Sequence, residues 1–172
     1  MNLIVRSVAS PIGLISLAGD GERLSGVYMT DHKRAPLLDG ARRDDEAFAE
    51  TVRQLAEWFD GRRTTFDLAV DPRGTAFQLT VWKALVDIPF GETVTYGELA
   101  ANVGQPGAAR AIGHAVARNP VSIIVPCHRV VGAKGVLTGF AGGLERKRWL
   151  LDHERTAAVI PKPAPRRTLG DR

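Results

Sequence analysis

Displacement chemistry on a protein needs a nucleophile, a base to take its proton and a group to orient that base. Residues 125–130, Val-Pro-Cys-His-Arg-Val, put the first two side by side: Cys127, the only cysteine of the 172 residues, and His128, with Arg129 next. A thiolate is a strong, soft nucleophile, yet an unperturbed cysteine is only a few per cent ionised near neutral pH, so an adjacent base or positive charge decides its reactivity. Glu154 offers the third role. It stands at the end of a helical segment, where a carboxylate opposes the helix dipole and calls for another reason to be there. Neighbours in sequence need not meet in space, and an isolated cysteine is often a small buried hydrophobe. Residue types alone leave both readings open.

The elements that must position these groups fall into two parts. Residues 1–72 read as strands at 3–9, 13–19, 23–29 and 64–70, with Pro/Gly turns between them. A polar loop and one helix complete this part, the helix running from about Asp44 with Phe48, Val52, Leu55, Trp58 and Phe59 on one face. Residues 73–154 read as mostly helical. Thr75/Gln78 and Thr95/Glu98 are two Thr-x-x-Gln/Glu capping boxes, the second opening a helix through about Val103. A Gly104–Gly107 turn leads to a helix over 108–119, and a last helix spans 142–154. The expected class is α/β: a small N-terminal antiparallel sheet with a helix, then a helical domain holding a helix-turn-helix and the cysteine. Residues 155–172 form a basic, Pro-rich tail whose composition predicts disorder.

Charge is uneven along the chain. Residues 1–72 hold nine Lys/Arg against twelve Asp/Glu, residues 73–154 nine against six, and the tail five against one. No carboxylate lies between Glu98 and Glu145, a stretch that carries Arg110, Arg118, Arg129 and Lys134. Such a surface suits a phosphate backbone, although a total of +4 is itself unremarkable. The 108–119 helix is rich in Ala and Gly, with Arg110 the one long polar side chain near its start. Small residues permit close approach either to another helix or to a nucleic-acid groove. One cysteine excludes an internal disulfide and supplies no pair for structural zinc, so a reducing, cytoplasmic setting without metal or cofactor is expected. The N-terminus is too short and too interrupted for a membrane span or a signal peptide, and no membrane partner is expected.

Ile124-Val-Pro-Cys-His-Arg-Val-Val131 resembles the active-site signature of the O6-alkylguanine-DNA alkyltransferases, the methylated-DNA–protein-cysteine methyltransferases. The resemblance extends over about 75–154, through VWKALVDIPFGETVTYGELAANVGQPGAARAIGHAVARNP and GFAGGLERKRWLLDHE; the N-terminal part resembles the family only in pattern. It implies that Cys127 accepts an alkyl group from guanine O6 irreversibly, each molecule acting once. His128 and Glu154 would relay the thiol proton through a water. Tyr96 would crowd the 3′ phosphate and donate to the base. Arg110 would fill the stack left by a base rotated out through the minor groove. Asn119 would join the DNA-binding helix to the active-site turn. Phe140 and Ala141 would form the pocket loop, the Ala141 amide donating to O6, while the Cys127 and Val130 carbonyls accept from the exocyclic amine. Arg129, counted with the substrate- and DNA-contacting group, reads as holding the turn.

The implied partner is double-stranded DNA carrying O6-alkylguanine, met by a monomer, with clustering on DNA left open. The chain lacks the extra cysteine-bearing domain and the zinc ligands of some relatives. Phe140 and Ala141 stand where some have Tyr and Ser, which suggests a lid that admits groups larger than methyl, and O4-methylthymine. Two rivals stand beside this reading. A non-catalytic sensor of alkylated DNA would replace the cysteine, and a cysteine hydrolase would leave Tyr96 and Arg110 without a role.

Overall fold

A computed structural model describes residues 2–159. The β-branched runs near the N-terminus form a sheet. β1 (Ile4–Val8) and β2 (Ile15–Gly19) pair antiparallel from Val8–Ile15 to Ile4–Gly19, and β3 (Leu24–Met29) pairs antiparallel with β2. A two-residue strand, β4 (Arg42–Arg43), joins the other edge of β1 in parallel, giving the order β3-β2-β1-β4. The expected antiparallel sheet thus gains one parallel edge from within the polar loop.

The strand expected at 64–70 reduces to one bridge, Val70 to Leu24. Two competitors explain this. The outer edge of β3 is shared, because Leu24 bonds residues 69 and 71 while Val27 N–H donates to the Pro120 carbonyl at 2.8 Å. The backbone at Asp67 is meanwhile held by a side chain: Gln54 Oε1 accepts from Asp67 N–H at 2.9 Å, and Gln54 Nε2 donates to Asp67 O at 3.0 Å. Gln54 lies on α1 (Ala49–Phe59), which starts five residues later than expected, behind Phe48 in left-handed backbone (φ 56°). The helix buries Leu55 and Trp58 in the apolar core.

Both capping boxes form, each with reciprocal bonds: Thr75 and Gln78 open α2 (Ala76–Val86), and Thr95 and Glu98 open α3 (Tyr96–Asn102). A glycine turn leads to α4 (Ala109–Ala117). β5 (Val94–Thr95) and β6 (Val130–Val131) pair in parallel on either side of these helices in sequence. α5 (Leu144–Val159) outlasts its expected end, so residues 155–159 of the supposed tail are helical and the rest of that tail lies outside the described residues.

One apolar core runs through both parts. Leu17, Leu24 and Trp58 join Val81, Leu85, Leu99, Ile112, Val121 and Leu150 in a continuous cluster, each at most 1% exposed. Burying side chains of this size stabilises by about 1.5–3 kcal/mol each. Among the described residues no helix is long and apolar enough to cross a membrane.

Candidate active site and nucleic-acid interface

The approach to the cysteine is a strained turn. Ile123 is buried with φ 72°, a left-handed conformation that costs a β-branched residue about 1–3 kcal/mol. It is held by bonds on both sides: Val125 N–H donates to Val121 O at 3.0 Å, and Ile124 N–H to Ser122 O at 2.9 Å. Asn119, two residues past α4, closes the turn. Its Oδ1 accepts from Val121 N–H at 3.0 Å and its Nδ2 donates to Val125 O at 2.9 Å, all buried. The end of α4 is therefore bonded to the segment that delivers Cys127.

Cys127, His128 and Arg129 form one buried 3₁₀ turn. Burial pushes the Cys127 thiol up, opposed by hydrogen bonding from Asn119 and Ser122 and by the positive charge of Lys147. His128 is fully buried, with Nε2 at 2.8 Å from Glu154 Oε1. Glu154 would be raised by burial, but the hydrogen bonds and charges of His128 and Arg129 bring it down to about 2. It is therefore an acceptor-only carboxylate at neutral pH, and Nε2 must carry the hydrogen. Burial also lowers the pKa of His128, against the pull of Glu154. A neutral ring protonated at Nε2 leaves the lone pair on Nδ1, the atom with no protein partner among the described residues. His128 is thus set as a base with its second nitrogen free.

Arg129 completes this network. Nε donates to both Glu154 oxygens at 3.1 and 3.0 Å, Nη2 donates to Oε1 at 2.7 Å, and Nη1 donates to Ile88 O at 2.6 Å, with the guanidinium 5.7 Å from the centre of the Phe90 ring. Gly91 N–H adds a bond to Glu154 Oε2 at 3.2 Å. The Glu154 charge is thereby fully paired, the condition under which a buried ion pair is tolerated. Arg129 is buried in these contacts, which makes it a strut of the turn rather than a group facing a ligand.

Val116, Ala117, Asn119, Ser122, Cys127, Gly139, Phe140 and Ala141 line a cavity of about 10 Å³ beside the thiol, room for about one water. Gly142 explains how tightly the pocket loop sits: a Cβ there would lie 2.7 Å from Met29 Sδ and 2.9 Å from Phe140 Cε1. The carbonyl of Ala141 accepts from Lys33 N–H at 3.0 Å, so the N-terminal part holds the loop as well. Tyr96, the first residue of α3, places its hydroxyl 3.5 Å from Thr138 O, at the edge of this loop. Arg110 lies apart from the cluster, exposed near the start of α4. It shares an exposed face with Ala111, His114 and Arg118, while Ile112, Ala115 and Val116 face the core. Trp82 Nε1 donates to Ala115 O at 2.8 Å and fixes that inner side.

Sequence reasoning passed over Lys147. This lysine is fully buried, and its ammonium donates to Val130 O at 2.6 Å, Thr138 O at 2.8 Å and Gly139 O at 3.4 Å. One charge ties the strand after the cysteine to the pocket loop. It also occupies a lone pair of the Val130 carbonyl expected to receive a substrate amine. Burial lowers its pKa to about 8, with the Cys127 charge opposing. The available signal was its place three, four and seven residues before Leu150, Leu151 and Glu154, which puts it on the buried stripe of α5. Among the described residues no group of three or more His, Cys, Asp or Glu could hold a metal ion.

Two family models match the chain: 6-O-methylguanine DNA methyltransferase, ribonuclease-like domain, over residues 3–72, and 6-O-methylguanine DNA methyltransferase, DNA binding domain, over residues 76–156. The chain is 51% identical over 150 residues to a methylated-DNA–protein-cysteine methyltransferase of Mycolicibacterium paratuberculosis, covering 87% of this chain and 91% of that one. It is 52% identical over 146 residues to one of Methanosarcina acetivorans, covering 84% and 94%. The crystal structure of Mycobacterium tuberculosis OGT in complex with DNA superposes with a TM-score of 0.87 at 49% identity, covering 90% and 94% of the two chains.

Proposed function

This chain belongs to the 6-O-methylguanine DNA methyltransferase family, and from that premise we propose that it repairs DNA by moving the alkyl group of O6-alkylguanine onto Cys127, once per molecule. The observation that carries the reading is the buried His128–Glu154–Arg129 network, with His128 Nδ1 unpartnered among the described residues, on the residue that follows the lone cysteine in the chain. Nδ1 of His128 takes the thiol proton through a water. The thiolate then attacks the alkyl carbon, the C–O bond breaks with its electron pair on guanine O6, and a thioether remains.

Three further assignments belong to the reading. The exposed face of α4 enters the minor groove of duplex DNA, with Arg110 replacing the rotated-out base and Tyr96 at its phosphate. Phe140 stacks near the base while the Ala141 amide donates to O6. The Cys127 and Val130 carbonyls accept from its amine. A cavity of about 10 Å³ cannot hold a guanine, so the Gly139–Gly143 loop moves as the base enters. Residues 1–72 act as the supporting unit and 73–154 as the DNA-binding and acceptor unit. The protein works as a cytoplasmic monomer, without metal or cofactor. The apolar Phe140–Ala141 lid also admits benzylguanine and O4-methylthymine; no reaction with benzylguanine would sink that extension.

The test is intact mass after incubation with a duplex holding one O6-methylguanine. The expected result is a stoichiometric gain of one methyl, absent in Cys127→Ala, with no second turnover. Tight binding without a mass change would replace the reading with that of a lesion sensor.

A further inference from the structure

We infer that Trp58, brought by α1 of the N-terminal part, is a positioning residue for His128. The bond from Nε2 to Glu154 fixes one point of the imidazole and leaves it free to turn about that axis. The Trp58 ring removes this freedom: the two ring centroids lie 6.2 Å apart at an interplanar angle of 74°, an edge-to-face contact, and both side chains are fully buried.

Trp58 is itself held. Phe66 stacks at 6.2 Å, Phe90 meets it edge-on at 6.2 Å, and His153 lies 4.7 Å away. The Trp58 carbonyl is 2.7 Å from His153 Nε2, on the helix that also carries Glu154. Phe90 in turn packs on the Arg129 guanidinium. The N-terminal part thus supplies one wall of the proton relay, and the relay is dry on that side. The charged groups acting on His128 are Arg129 on its own turn and Glu154 and Lys147 on α5. α1 presents to it only the uncharged indole.

The inference rests on the alkyl-transfer reading, and its test separates the two. Trp58→Leu removes the aromatic wall and Trp58→Phe restores a ring. In single-turnover reactions at saturating methylated duplex, Trp58→Leu is expected to lower the transfer rate about tenfold to a hundredfold. DNA affinity should stay unchanged, and Trp58→Phe should recover most of the loss. Water reaching His128 should raise its titration midpoint, read directly from its ring NMR signals and as an upward move of the acid limb of the rate. A cooperatively folded Trp58→Leu with unchanged rate and unchanged His128 titration overturns the inference. If Trp58→Leu does not fold, Trp58→Met, which also removes the ring, decides in its place: a raised His128 midpoint supports the role and an unmoved one overturns it. The NMR readout needs no alkyl transfer, so a raised midpoint without any methylation in the parent protein would sink the proposed function and leave this inference standing.

Discussion

Replacing Lys147 by Met separates stability from chemistry. In the folded protein the ammonium has lost its water, and the fall of its pKa from 10.5 to about 8 corresponds to about 3 kcal/mol of destabilisation at neutral pH. Because the folded pKa is the lower one, the unfolded chain binds more protons between pH 8 and 10.5. This group's contribution to stability therefore rises with pH across that window, and the full penalty is present below about pH 8. Lys147→Met removes the penalty. It also takes the ammonium donor from the Val130 and Thr138 carbonyls, now bonded at 2.6 and 2.8 Å, leaving Thr138 only the 3.5 Å contact of the Tyr96 hydroxyl. Each orphaned acceptor costs about 1–3 kcal/mol, so the two effects nearly cancel and the melting temperature should move by only a few degrees. The rate should not escape. The Cys127 thiolate loses the charge that stabilises it, and the pocket loop loses its tie to β6, so single-turnover methyl transfer at pH 7 should fall at least tenfold. The ratio of parent to variant rates should shrink as pH rises through about 8, where the parent's ammonium discharges. Equal rates at pH 7, or a ratio independent of pH, would refute the assignment of Lys147 to the site.

Other substitutions probe the same network. Glu154→Gln leaves Arg129 buried without its anion and should cost about 3–5 kcal/mol in urea unfolding, with transfer reduced at least a hundredfold. Glu154 has a depressed pKa of about 2 against 4.5, so its stabilisation is full above about pH 4.5 and is lost as pH falls toward 2; acid unfolding followed by circular dichroism should show a shallower slope in the variant. Asn119→Asp keeps the acceptor for Val121 N–H but cannot donate to Val125 O, and should lower stability by about 1–3 kcal/mol and slow transfer while Cys127 remains titratable by a thiol reagent in the unfolded state. Thr95→Ala removes half of the capping box of α3 and should cost about 1 kcal/mol in thermal unfolding.

Much of this architecture was legible because local chemistry dictated it. The Thr-x-x-Gln/Glu spacings marked the starts of α2 and α3, and both boxes formed. Cys127, His128 and Glu154 were named from residue type and resemblance, and the fold brings His128 and Glu154 into contact. The misses lie where long-range bonds override local pattern. Phe66, Leu68 and Val70 alternate as a strand would, but Gln54 and the shared edge of β3 take the backbone bonds a ladder needs. Arg42 and Arg43 carry no strand signal, and backbone pairing with β1 alone makes them β4. Nothing local marks Ile123 as left-handed; the Asn119 clamp imposes it. Lys147 sits between Arg146 and Arg148, and only the rotation of α5 decides which of three adjacent basic residues turns inward.

That rotation makes α5 a ruler. Lys147 and Glu154 stand seven residues apart, two turns of helix, with Leu150 and Leu151 between them on the same inward stripe. The site depends on the spacing between these two charges, which cannot be stretched. One inserted residue between them would swing Glu154 by about 100° relative to Lys147, carrying the anchor of His128 and Arg129 toward solvent while the lysine stayed in place. An insertion or deletion across these two turns would therefore dismantle the site even with every side chain retained.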